Sequence, residues 1–161
     1  MKIGLALEEL HRSEAELAHE LLKISERHKV DHEIFHLAKD LARWSQQHVR
    51  DIAEIGKDYG QDHLDPEAGT KHGPVDAIVE KGSELIGRMS SPALLLLRDL
   101  REVYMKAAGV SVDWELLAQA AQGIKHRDLL ALAQKDHPET LRQMRWANGK
   151  LKESATQILV S

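Results

Sequence analysis

LALEELHRSEAELAHELLKISERHKVDHEIFHLAKDLARWSQQHVRDIAEI, residues 5–55, decides the fold class: it holds neither Gly nor Pro, and its apolar residues return with helical spacing. Leu7, Leu10, Glu14, Leu17, Leu21, Ile24 and His28 step alternately three and four apart and so share one stripe of a helix. Ile34, Ala38, Leu41, Ser45, His48, Ile52 and Ile55 form a second such stripe. Asp31 between them is an N-cap residue type. The pattern predicts helix A near residues 3–28 and helix B near 32–58, joined by a tight turn as an antiparallel hairpin. The rival is one continuous helix of about 50 residues, ~75 Å long at 1.5 Å per residue, since the break signal at residues 29–31 is weak.

Residues 60–91 change character. Gly60, Pro66, Gly69, Gly73, Pro74, Gly82 and Gly87 punctuate a long crossover with room for a short helix over 74–86. Ser91-Pro92 then starts helix C, with Ser as N-cap and Pro in the first turn. Ala93, Leu96, Leu100, Val103 and Ala107 give its register, and Gly109 is expected to end it. Helix D carries Trp114, Leu117, Ala121, Ile124, Asp128 and Ala131. Asp136-His137-Pro138 is read as the next break, and helix E carries Leu141, Met144, Asn148, Leu151, Ala155 and Ile158. The expectation is an all-α, antiparallel helical bundle in a single domain, 1–161: two long N-terminal helices, the crossover, then three shorter helices over about 92–160.

Composition agrees. Of 161 residues, 42% are apolar and 30% charged, as in globular chains, and aromatics are only 4%, which disfavours a sandwich or barrel. The net charge of −4 offers nothing global to nucleic acid or an anionic membrane. The longest apolar run, residues 93–97, is far short of a membrane span. The absence of Cys excludes thiolate chemistry and fits a reducing compartment. The N-terminus turns acidic too early for a signal peptide, so the expected location is the cytoplasm.

Two helices, a long crossover and further helices are one way of connecting a four-helix bundle. In this connectivity the chain resembles the ferritin-like class at the level of fold, with hemerythrin-like bundles as a neighbour. The resemblance implies a metal site built from a Glu on one helix of each pair and a Glu-x-x-His on the other. Glu14 interrupts the stripe of helix A and would stand for the first carboxylate. In a hairpin turning near residue 30 it faces residues 45–48, where Ser45-x-x-His48 has Ser in place of Glu. Asp128 interrupts helix D. The pattern supports at most an incomplete or single-metal site from Glu14, His48 and Asp128, for iron, manganese or zinc.

Two other readings use histidines. His32-Glu33-Ile34-Phe35-His36 spells HExxH, which in zinc peptidases places two ligands one turn apart and a general base between them. Glu54 is its conceivable third ligand. No strand is expected to hold a substrate, and ten His make the string easy to meet by chance. His28, His32 and His36, four apart around the A–B turn, are a second possible metal cluster. Against all of these stands a structural role: a polar residue in an apolar seam fixes register, and Glu14 and His48 can simply bond each other. The basic residues Arg142, Arg145, Lys150 and Lys152 near Trp146 read as a solvated face rather than a nucleic-acid site. The leading functional expectation is a non-catalytic bundle acting by self-association or by binding a protein partner. The alternative is a metal-binding bundle, and the remote one a zinc peptidase.

Overall fold

The computed structural model describes residues 1–70 and 91–161. The described residues form four long helices and no strand: α1 (Ile3–Arg27), α2 (His32–Gly56), α3 (Pro92–Ile124) and α4 (Arg127–Val160), with a 3-10 turn at Lys57–Tyr59 after α2. The short helix expected over 74–86 lies outside the described residues. No described helix is long and apolar enough to cross a membrane.

The first two helices break where Asp31 stands. Its carboxylate accepts from the Ile34 amide at 3.2 Å and satisfies an orphan donor of the first turn of α2. One continuous helix over residues 5–55 is thereby excluded. The two helices then face each other along their length. Ser25 Oγ donates to the Phe35 carbonyl at 2.7 Å near the turn, and Glu14 meets His48 midway. At the far end a Cβ on Gly4 would stand 2.6 Å from the Tyr59 carbonyl oxygen, so only glycine permits that approach.

The second half of the chain departs from the expected three shorter helices. Gly109 does not end a helix, because Leu100, Val103, Ala107, Val110, Trp114, Leu117 and Ala121 form one unbroken buried stripe through it. An interior glycine costs a helix about 1 kcal/mol. Burying Val110 and Trp114 on the same seam returns roughly 1.5–3 kcal/mol for each large apolar side chain, so continuity wins. Lys125 closes α3 in the left-handed conformation, φ 58°, and the chain turns directly into α4.

Pro138 does not break α4 either. It sits on the exposed side of the helix, where water can take the carbonyl that proline leaves without an amide partner. The turn expected at 136–138 is therefore absent, and the register is not the expected one. The buried stripe is Leu129, Ala133, Asp136, Thr140, Gln143, Ala147 and Lys150, one place away from the Leu141–Met144–Asn148 reading. Lys150, assigned above to a solvated basic face, is buried with its ammonium on Glu33 at 2.6 Å.

Packing follows the stripes. α1 lies against α2 and α3, and α4 lies against α2 and α3. Arg27 and His28 reach Asp99 of α3, each at 2.8 Å, and Gln143 of α4 donates to the Leu41 carbonyl (2.9 Å) and to Ser45 Oγ (2.8 Å) of α2. The apolar core is Leu- and Ala-rich and closes around Trp114. Midway along it the apolar layers give way to polar side chains from all four helices.

Candidate metal centre

Glu14 and His48 occupy seam positions where α1 and α2 otherwise place Leu, Ile and Ala, and both are fully buried. His48 Nδ1 lies 2.9 Å from Glu14 Oε1. A carboxylate oxygen accepts, so Nδ1 carries the proton and the ring orientation is fixed. Trp114 of α3 donates its indole N–H to the same oxygen at 3.0 Å. Its ring meets the imidazole edge-on, with centroids 6.1 Å apart.

The other imidazole nitrogen is thereby aimed at α4. His48 Nε2 stands 3.1 Å from Glu139 Oε1 and 3.9 Å from Asp136 Oδ1. One ligand atom each from His48, Asp136 and Glu139 lies within 4.8 Å of the other two. Two ligands of a first-row ion, each about 2.1 Å from it, stand roughly 3.0–3.4 Å apart. The triad is thus close to ligand spacing, with Asp136 the side chain that must close slightly. Asp136 is fully buried; no N–H or hydroxyl donates to its carboxylate, and its carboxyl hydrogen-bonds the neighbouring Asp51. Two carboxylates this close repel when both are ionised unless a proton or a cation lies between them, so the pair invites a cation. Glu139, 25% exposed, connects the cluster to solvent.

The site's protonation follows from these contacts. Burial alone would lower the His48 pKa. The charge and hydrogen bond of Glu14, with Asp136 and Glu139 beside Nε2, outweigh it and raise the pKa to about 9. Burial pushes the Asp136 carboxyl up to about 7, against the pull of the His48 charge and with the Asp51 carboxylate adding to the rise. Near neutrality His48 is held as an imidazolium, and Asp136 keeps its proton to a far higher pH than an ordinary carboxyl.

Asp51, one turn beyond His48 on α2, borders the cluster. Its Oδ1 accepts from Gln47 Nε2 at 3.0 Å, and its Oδ2 receives Lys135 Nζ at 2.9 Å. The same ammonium is 3.6 Å from Asp136 Oδ1.

The other candidates do not join. Asp128 is exposed in the first turn of α4, about 12 Å from Asp136 along the axis at 1.5 Å per residue. His28 is engaged by Asp99, while His32 and His36 are exposed, and these three histidines form no ligand group among the described residues. Within the HExxH string Glu33 is held by Lys150, and Glu54 pairs with Lys57 at 2.7 Å. Glu16-Leu17-Ala18-His19 repeats the Glu-x-x-His spacing, but Glu16 is exposed and 4.0 Å from Lys106. Ser45, the departure from Glu-x-x-His on α2, is filled instead by the Gln143 hydrogen bond. Asp136, Glu139 and Asp51 were not anticipated. The signal for Asp136 is the α4 stripe itself, in which Leu129, Ala133, Asp136 and Thr140 are in register once no break is imposed.

No family model matches the chain, and neither a curated protein nor a solved structure matches it.

Proposed function

We propose that the protein is a metal-binding helical bundle in which His48, Asp136 and Glu139 hold one divalent first-row transition ion. One observation carries the reading: the Glu14–Trp114 pair fixes the Nδ1 side of His48, so that Nε2 faces two carboxyl side chains of α4, one of them fully buried. A carboxylate behind a ligating imidazole is the usual way to set its tautomer and raise its basicity. One nitrogen and two carboxylate donors suit zinc, manganese or iron. The His48 proton must leave for Nε2 to bind, and so must any proton on Asp136. The residues thus exchange between one and two protons for a divalent charge, and affinity rises with pH.

The reading includes an antiparallel bundle of the ferritin-like kind. Its support is the pairing of Ser25 with Phe35, Glu14 with His48, Arg27 with Asp99, and Gln143 with Leu41. The chain keeps a carboxylate on α1, but it has Ser45-x-x-His48 on α2, Trp114 on α3 and Asp136-x-x-Glu139 on α4. That set favours one ion over two. Titration with Co2+ followed by visible absorption tests the proposal. Saturation at about one equivalent, lost in Asp136→Asn, supports it; no spectral change up to millimolar Co2+ overturns it.

Self-association is the second reading. Met105, Val112 and Leu116 are exposed on one outer face of α3, where Gly109 adds no side chain. Apolar residues at such spacing suit a partner helix. A strict monomer by sedimentation equilibrium up to about 100 μM, where weak micromolar pairing would register, would oppose it.

A further inference from the structure

Beside the His48 position lies a second place for positive charge. On α2, His48 and Asp51 are three residues apart, and on α4 so are Asp136 and Glu139, so the two pairs run alongside each other on facing surfaces. Asp136 stands between two positive partners: its Oδ1 is 3.9 Å from His48 Nε2 and 3.6 Å from Lys135 Nζ. The Lys135 side chain is 61% exposed and yet turns back onto Asp51, itself only 16% exposed, at 2.9 Å. A surface lysine pair is ordinarily worth little, because it gives up rotamer freedom in high dielectric. Here the ammonium serves a different need, since it is the positive charge nearest to the buried Asp136, whose carboxyl hydrogen-bonds Asp51.

We propose that Asp51 and Asp136 form a second cation position, filled in this structure by the Lys135 ammonium, and that its competitor is a hard divalent cation. This rests on the reading of His48, Asp136 and Glu139 as a metal site, with the Asp136 carboxylate shared between the two positions. The donors at the second position are carboxylate oxygens alone, which favours Mn2+ or Mg2+ over softer ions. The first position keeps the imidazole nitrogen. Lysine is a compact point charge on a flexible stem, so it can occupy such a place without imposing ligand geometry. Lys135 thereby limits the wild-type site to a single ion.

The test is Mn2+ stoichiometry by native mass spectrometry, with electron paramagnetic resonance on the same samples. The proteins are wild type, Lys135→Met, Lys135→Arg, and Lys135→Met combined with Asp51→Asn. Because Lys135 is largely exposed, each variant is expected to keep the wild-type helical circular dichroism. The expected result is one Mn2+ in wild type and in Lys135→Arg. Lys135→Met takes two, with a spin-coupled signal from ions about 4 Å apart. The double variant returns to one. A single ion in Lys135→Met, or two already in wild type, overturns the second position and leaves the first standing. No Mn2+ and no Co2+ in wild type overturns the metal reading itself and this inference with it.

Discussion

His48 Nδ1 and Glu14 Oε1 are 2.9 Å apart across the seam between α1 and α2, with both side chains fully buried. The contact ties the register of the helical pair to the direction of the imidazole, because Nδ1 can satisfy Glu14 only with Nε2 turned toward α4. Removing the carboxylate strands two N–H groups, on His48 and on Trp114. Glu14→Ala is expected to cost about 3–5 kcal/mol, as does breaking a buried pair from one side. Glu14→Gln keeps an acceptor oxygen but lowers the His48 pKa. Denaturant unfolding and histidine NMR titration check the two.

The pH dependence has a definite sign. His48 is raised from 6.5 to about 9 in the folded protein, so its stabilisation is complete below the unfolded value and is lost as pH rises through about 9. Asp136 is raised from 3.8 to about 7, so the folded state binds its proton more tightly, and that contribution fades as pH rises through about 7. The metal-free protein should therefore lose stability as pH rises from 6 to 9.5. Denaturant unfolding across that window checks it, and stability that is flat or rises with pH would contradict the assignment.

Gly109→Ala should stabilise the chain by about 1 kcal/mol. A Cβ there meets nothing within 4 Å and lies on the exposed side of α3. At this chain length that gain corresponds to roughly 2–4 °C in Tm, readable by calorimetry. A loss of stability would mean that this face packs against something.

Asp99 supplies a contrast. It binds Arg27 and His28 at 2.8 Å each, where the α1–α2 turn meets α3. Asp99→Ala leaves the partly buried Arg27 guanidinium and His28 imidazole without their partner and should cost about 3 kcal/mol. Metal content should not change, because His28 belongs to this structural cluster. Loss of metal in Asp99→Ala would instead favour His28 as a ligand.

Much of the first half was legible in the residues. Seven-residue stripes without Gly or Pro fixed α1 and α2, and the polar interruptions at Glu14 and His48 marked a pair that does meet. The second half differs for two reasons: the true turn, at residues 125–126, falls inside the expected helix D, and two helices run through the expected breaks. Gly109 and Pro138 were given the weight of helix breakers, although both lie on exposed faces where their local cost is small beside that of interrupting a buried stripe. A break at 136–138 moves the register by one place and puts Asp136 in a turn, while a helix D carried past residues 125–126 puts Asp128 in its seam, two turns from Asp136. Asp51 carries no seam signal at all. It flanks the buried face of α2, and only the reach of Lys135 from α4 identifies it.

Elemental analysis of tag-free protein, incubated with equimolar Zn2+, Mn2+ and Fe2+ under anaerobic conditions and then desalted, tests the central claim most directly. The metal reading predicts about one equivalent of a single metal in wild type and less than a tenth of an equivalent in His48→Gln, whose helical signal should persist. Less than a tenth of an equivalent in wild type, or unchanged loading in His48→Gln, would contradict it.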